Sequence, residues 1–218
     1  MSKKIAVVLS GCGNKDGSEI TEAISLILAL SEKKAKVSFF APNLEFSPSN
    51  FLTNETLPNS RNVMVEAARI TRSDIQDLNS LVAADFDGIA FPGGYGAAKV
   101  LSNWATKGSA CTVLEEVSRV ILDFHKQSKP VAAICIAPVL VAKVLGSQGV
   151  NLTIGNDRET AQEILKTGAK HVDCPVTDFV TDRSAKVITT PAYMYGSAAP
   201  FEVYTGIRGL VAELIEMA

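Results

Sequence analysis

The chain has 218 residues, of which 47% are hydrophobic, 20% charged and 6% aromatic. This length fits one domain, large enough to bury roughly 70% of its unfolded surface without a metal or disulfide staple. Lys plus Arg total 21 and Asp plus Glu 23, a net charge of −2; that balance argues against a dedicated nucleic-acid binder, and the apolar fraction excludes a disordered chain.

Taken in chain order, short apolar runs alternate with longer helical patterns. Lys3 and Lys4 precede only a brief apolar run, residues 5–9, before Ser10 and Gly11. A signal peptide or a membrane helix needs a longer stretch, so no membrane association is expected and the location is expected to be cytoplasmic. Residues 4–9 read as a buried strand. Residues 18–30 read as a helix whose apolar face is Ile20, Ala23, Ile24, Ile27 and Leu30. Strands are predicted at 36–40, 87–91, 131–134, 152–154 and 186–189, and helices at 113–125, 137–145, 159–167 and 202–217. Residues 43–60, rich in Asn, Pro and Ser, form a long excursion. Residues 95–112, rich in Gly, Ala and Ser, follow a strand at the edge where such sheets bind ligands.

Strands separated by helices of this length predict an α/β fold with a mostly parallel sheet and helices on both faces, in a single domain over residues 1–218. The wholly apolar strands fit burial on both sides. Cys12, Cys111, Cys135 and Cys174 have no close C-x-x-C spacing. No metal site is expected, and the cysteines read as free thiols.

Cys135 is the leading candidate for chemistry. It follows the apolar run 130–134 directly and precedes a short helix with Pro138 in its first turn, where the missing N–H of Pro costs nothing. A side chain in this strand-to-helix turn stands above the sheet edge, as in a nucleophile elbow. The positive helix end and unpaired backbone N–H groups would favour its thiolate. The same run also fits a buried cysteine acting as a small hydrophobe. Pro92-Gly93-Gly94-Tyr95-Gly96 closes another strand, and its N–H groups are suited to a developing oxyanion.

Residues 10–17 read G-x-G-x-x-x-G after the first strand. The spacing is one residue too long for a dinucleotide fingerprint, and no acidic residue ends the second strand. No cofactor is expected. Glu19 follows, at the start of the first helix. Beside a thiolate its carboxyl would be driven toward the protonated form, and alternatively it is an ordinary first-turn acid favoured by the helix dipole. His125 lies at a solvated helix end. His171, in H-V-D, fits a base oriented by a carboxylate, and Cys174 is a second thiol that could face the same cleft.

The chain order, the Phe91-Pro92-Gly93-Gly94 turn and the Ala133-Ile134-Cys135-Ile136-Ala137-Pro138 elbow resemble the ThiJ/PfpI branch of the class I glutamine amidotransferase-like superfamily. Within it, LSGCGNKDGSEI (9–20), RNVMVEAARIT (61–71), GYGAAKVLSN (94–103) and TTPAYM (189–194) resemble the enhancing-lycopene-biosynthesis proteins of ElbB type. The resemblance implies a flavodoxin-like three-layer sandwich and a homodimer. It implies Cys135 as nucleophile, Glu19 as its acidic partner, and Gly93, Gly94 and Ile136 as backbone donors. The implied activity is glutathione-independent conversion of glyoxal to glycolate or a deglycase reaction, with a small reactive aldehyde as substrate and a link to isoprenoid biosynthesis.

Three positions depart from the wider pattern. Ile136 stands where peptidase-like relatives carry His, Cys174-Pro175 where deglycase-like relatives carry His-Pro, and His171-Val172-Asp173 where amidotransferases carry His-x-Glu. These argue against peptidase and glutaminase activity and point to slow glyoxalase turnover. In that reaction Cys135 adds to an aldehyde and Glu19 or His171 moves the carbon-bound proton. The alternative is a non-enzymatic redox-sensing or regulatory protein that uses the same cysteine. An amidotransferase subunit is a third reading.

Overall fold

The computed structural model describes residues 2–218. Seven strands form the central sheet: β1 (Lys4–Val8), β2 (Lys36–Ala41), β3 (Gln76–Asp77), β4 (Gly88–Phe91), β5 (Val131–Ile134), β6 (Val180–Asp182) and β7 (Val187–Thr190). Their order is β6-β7-β5-β4-β1-β2-β3, and every pairing is parallel except β6 with β7. The longer helices are α1 (Ile20–Glu32), α2 (Val63–Thr71), α3 (Glu115–Lys126), α4 (Pro138–Leu145), α5 (Arg158–Lys166) and α6 (Pro200–Met217).

The apolar strands lie inside. All four residues of β4 and of β5 are buried. Helix α6 packs on β5 and along α1, while α3 and α4 pack on β5 and on each other. A strand contacted by α6 as well as by α3 and α4, and fully buried, is covered on both faces, so the sequence-based fold class holds. No helix among the described residues is long and apolar enough to cross a membrane.

Three details differ from the pattern-based expectation. The strand expected at 152–154 is Asn151–Leu152, which pairs in parallel with Lys170–His171 in a separate two-stranded sheet. The long excursion is folded: Glu45–Phe46 pairs with Arg61–Asn62 and a bridge joins Ser49 to Thr56. Helix α1 also turns a different face inward. Its buried residues are Glu22, Ala23, Ser25, Leu26, Ala29 and Leu30, whereas Ile20 and Ile24 are 50% and 39% exposed.

Candidate active site

Adjacent parallel strands end at one sheet edge, and the turns leaving them build the site. After β5 the chain places Cys135 at φ 60°, a left-handed conformation that L residues adopt at a cost. The strain is held by packing and by the Cys135 N–H, which donates to the Thr190 carbonyl at the end of β7 at 2.9 Å. Helix α4 then begins with Pro138 at its start. The side chain is aimed at the edge, with the residue 7% exposed.

After β4, Gly93 and Gly94 bring the backbone against the thiol. A Cβ at Gly93 would collide with Cys135 Cβ and Glu22 Oε2. Gly94 has φ 97°, and a Cβ there would strike the Gly17 carbonyl and the Glu19 N–H. The loop leaving β1 is fastened to this turn. Glu19 N–H donates to the Gly93 carbonyl at 2.9 Å, Tyr95 N–H to Asn14 at 2.8 Å, and Gly96 N–H to Gly17 at 3.0 Å. These bonds fix where α1 starts and hence which of its carboxyls reaches the cysteine.

That carboxyl is Glu22, not Glu19. Glu19 sits in extended conformation as the N-cap of α1, and its Oε2 accepts from the Glu22 N–H at 2.7 Å. Turned to its own helix end, it lines the cavity mouth. Glu22 lies one turn further on and is fully buried. Its Oε1 accepts from the Tyr193 N–H at 3.1 Å. Its Oε2 is buried without a full hydrogen-bond partner and faces the Cys135 thiol and the Gly93 N–H.

Two groups so placed compete for one negative charge. Burial first, then the Glu19 carboxylate, pushes Glu22 up to about 8, against the opposing effect of the Tyr193 N–H, the Cys135 thiol and the Gly93 N–H. Burial first, then Glu22, pushes the Cys135 thiol well above its usual range, although the N–H groups of Gly94 and Ile136 favour its anion. The thiolate expected from the elbow is thus opposed by burial and by Glu22 and favoured by two backbone N–H groups. Burial favours the proton-rich form of the pair, a carboxyl beside a thiol. Of the three backbone donors read from the sequence, Gly94 and Ile136 serve the sulfur and Gly93 serves Glu22.

His171 is not part of this arrangement. Its Nε2 accepts from the Ile154 N–H at 3.3 Å and its Nδ1 lies 3.6 Å from Asp173, which Arg158 also pairs at 2.8 Å. Burial lowers its pKa, so the ring is neutral and its acceptor nitrogen is engaged. It lines a separate surface groove with Arg158 and Asp173, away from the cavity of Cys135. Cys174 is buried with its thiol toward the Pro175 carbonyl, and it too does not line that cavity. All four cysteines are free, and among the described residues no group of three His, Cys, Asp or Glu is placed to hold a metal.

The cavity in front of Cys135 measures about 510 Å³ and is bordered by Asn14, Glu19, Tyr95, Asp157, Tyr193 and Met194, among others. Tyr193 follows Ala192, a buried residue held at φ 44°; this second strained turn aims the Tyr193 N–H at Glu22. Asp157 caps α5, accepting from the Thr160 N–H at 2.8 Å. Of these bordering residues, the sequence singles out only Glu19 as a site residue. The TTPAYM block was the one signal that covered Ala192 and Tyr193.

The family model of the DJ-1/PfpI family matches residues 3–195. A human protein named glutamine amidotransferase-like class 1 domain-containing protein 3, mitochondrial, is 42% identical over 98% of this chain and 83% of its own length. A rat protein, ES1 protein homolog, mitochondrial, is 41% identical over 98% of this chain and 84% of its own. The crystal structure of an isoprenoid biosynthesis protein with amidotransferase-like domain from Ehrlichia chaffeensis superposes with a TM-score of 0.91 at 33% identity, covering 98% of this chain and 99% of that one. The cytoplasmic expectation is overturned by these names, since the human and rat relatives are both named mitochondrial. It rested on the lack of a long apolar run, a test blind to mitochondrial transit peptides, which are amphipathic and rich in Arg and Ser.

Proposed function

This chain belongs to the DJ-1/PfpI family, and from that premise we propose that it is a cysteine-dependent, glutathione-independent glyoxalase of ElbB type, converting glyoxal to glycolate. The observation that carries the reading is the pairing of a strained Cys135 with the buried Glu22 at the head of an open cavity. The thiol adds to one aldehyde carbon, forming the S–C bond as its proton leaves through Glu22 to the carbonyl oxygen. The N–H groups of Gly94 and Ile136 support the oxyanion. Glu22 then takes the proton from the hemithioacetal carbon and returns it to the neighbouring carbon through an enediol. One carbon is oxidised and the other reduced, so no external redox partner enters. Water hydrolyses the thioester, releasing glycolate and restoring the thiol.

Glu22 takes the place of Glu19 and His171 as the base. A carboxyl near 8 is a stronger base than an ordinary one and is matched to proton transfer close to neutral pH. The redox-sensing alternative draws on the same thiol, and turnover on glyoxal separates the two readings. Resemblance and the name of the Ehrlichia neighbour support a connection of this activity with isoprenoid biosynthesis.

The homodimer belongs to the same proposal. Ile20, Ile24 and Leu28 recur every four residues on the outer face of α1 and are 50%, 39% and 55% exposed. A helix apolar on both faces is stable when both are covered, and a second copy of this chain would cover the outer one.

The deciding test is glycolate formation from glyoxal without glutathione, wild type beside Cys135→Ser. Turnover in the wild type alone supports the reading, and equal background rates end it.

A further inference from the structure

The Cys135 cavity is larger than a two-carbon dialdehyde needs. Its 510 Å³ chamber shares Tyr95, Ile136, Asp157 and Thr160 with a second chamber of about 520 Å³ that extends past Trp104. Either volume suits a ligand of many heavy atoms.

The charge lining it has one sign near the cysteine. The ionisable carboxyls of the first chamber are Glu19 and Asp157, and no Lys, Arg or His borders it. Neither carboxylate has a salt-bridge partner among the described residues; each accepts a backbone N–H at a helix start. The basic side chains nearest to it lie outside its lining. Lys99 Nζ donates to the Lys15 carbonyl at 3.0 Å and stands 5.3 Å from the centre of the Tyr95 ring, and Arg158 pairs with Asp173 at 2.8 Å. In the second chamber Lys107 stands among Asp157, Glu159 and Glu163, and Glu163 is already held by Lys166 and Ser109. Behind the thiol the fully buried Glu22 adds a carboxyl with one oxygen unpartnered. An anionic substrate would meet two carboxylates and no cation on the chamber lining, whereas an ammonium or guanidinium would find two carboxylates without an ionic partner in the chamber of the reacting sulfur.

We propose that the substrate for which this site is built is a carbonyl compound larger than glyoxal that bears a positive charge, held by Glu19 and Asp157 while its electrophilic carbon meets Cys135. Glyoxal is then a small neutral surrogate, and carboxylate, phosphate or glutathione-bearing carbonyl compounds are turned away. The inference rests on the reading of Cys135 as the reacting thiol.

The test uses two probes of like size and opposite charge, the trimethylammonium-ethyl and sulfonato-ethyl methanethiosulfonates. With each, the Cys135 sulfur forms a mixed disulfide, methanesulfinate departs and the thiol proton passes to buffer. Rates at Cys135 in the full chain are read by peptide mass and divided by each reagent's rate with a small free thiol. The cationic probe is expected to be faster by about tenfold or more at low ionic strength. The ratio should fall toward one in ~1 M salt, where the Debye length is about 3 Å. It should also fall in Glu19→Gln/Asp157→Asn, where Asn retains the helix cap. Should that variant fail to fold, the salt series on the wild type decides alone. Equal rates, or a faster anion, overturn the charge selection and leave Cys135 as a reactive thiol. If neither probe modifies native Cys135 while both modify it in urea, the nucleophile reading itself falls, and this inference with it.

Discussion

Glu22 and Cys135 lie on opposite halves of the chain and meet in one buried corner, where the carboxyl stands against the thiol and the Gly93 backbone closes the gap between them. Neither group is in its solution state there. Glu22 raises the thiol's affinity for its proton while the thiol steadies the Glu22 carboxylate, so the pair titrates as a unit.

The first prediction concerns that titration. With Glu22 pushed up to about 8, the singly charged pair is scarce at pH 6 and abundant at pH 9. The glyoxalase rate constant kcat/KM should rise across this interval with a midpoint near 8. Glu22→Gln holds the hydrogen-bonding shape without the base and should lose at least ~100-fold, a typical share for general base catalysis, together with the midpoint. A flat profile in the wild type would remove Glu22 from the mechanism.

Stability should carry the same signature with a definite sign. A carboxyl raised in the folded state favours folding in its neutral form. Its contribution is complete below the ordinary carboxylate value of 4.5 and is lost as pH climbs through about 8. Thermal melts between pH 5 and 9 should therefore show the wild type losing on the order of a few kcal/mol relative to Glu22→Gln. Parallel curves would show that Glu22 ionises normally.

Gly93 is required by space. Gly93→Ala would drive a methyl into Cys135 Cβ and Glu22 Oε2, with the Ile134 carbonyl 2.8 Å away as well. The expected result is a destabilisation of roughly 1–3 kcal/mol and a larger relative loss of turnover, because the displaced atoms are the reacting ones. A variant as active as the wild type would contradict the close approach.

The outer face of α1 makes a separate prediction. Light scattering on the eluting protein should give twice the chain mass, and Leu28→Lys should shift it toward the monomer without unfolding it, since Leu28 is 55% exposed. A monomeric wild type would leave the stripe uncovered and the homodimer unsupported.

The same helix explains what could be read in advance. Strand and helix alternation is legible because β4, β5 and β1 beyond Lys4 are apolar and bounded by Gly, Pro or charge. The elbow is legible because Cys135 sits between such a strand and a Pro-initiated helix. Glu22 was hidden because α1 is apolar on two sides. Choosing the Ile20, Ala23, Ile24 and Ile27 face leaves Glu22 looking solvated, whereas the Ala23, Leu26, Ala29 and Leu30 face has Glu22 in its midst, a charge placed among buried residues. Periodicity alone does not choose between two apolar stripes. Two-residue strands such as Gln76–Asp77 carry no periodicity at all, and their pairing is decided by what the neighbouring chain offers.

The Thr190 carbonyl that accepts the Cys135 N–H belongs to β7, a strand that joins the sheet beside β5. The corner thus needs segments from near the start, the middle and the end of the chain, all in register, before the cysteine is held at its left-handed angle. Such long-range closures come late, after helices and local turns have formed. A nascent or partly refolded chain can therefore have most of its secondary structure and still present an ordinary thiol. Protection of the reacting group until assembly is complete is built into the order of the strands.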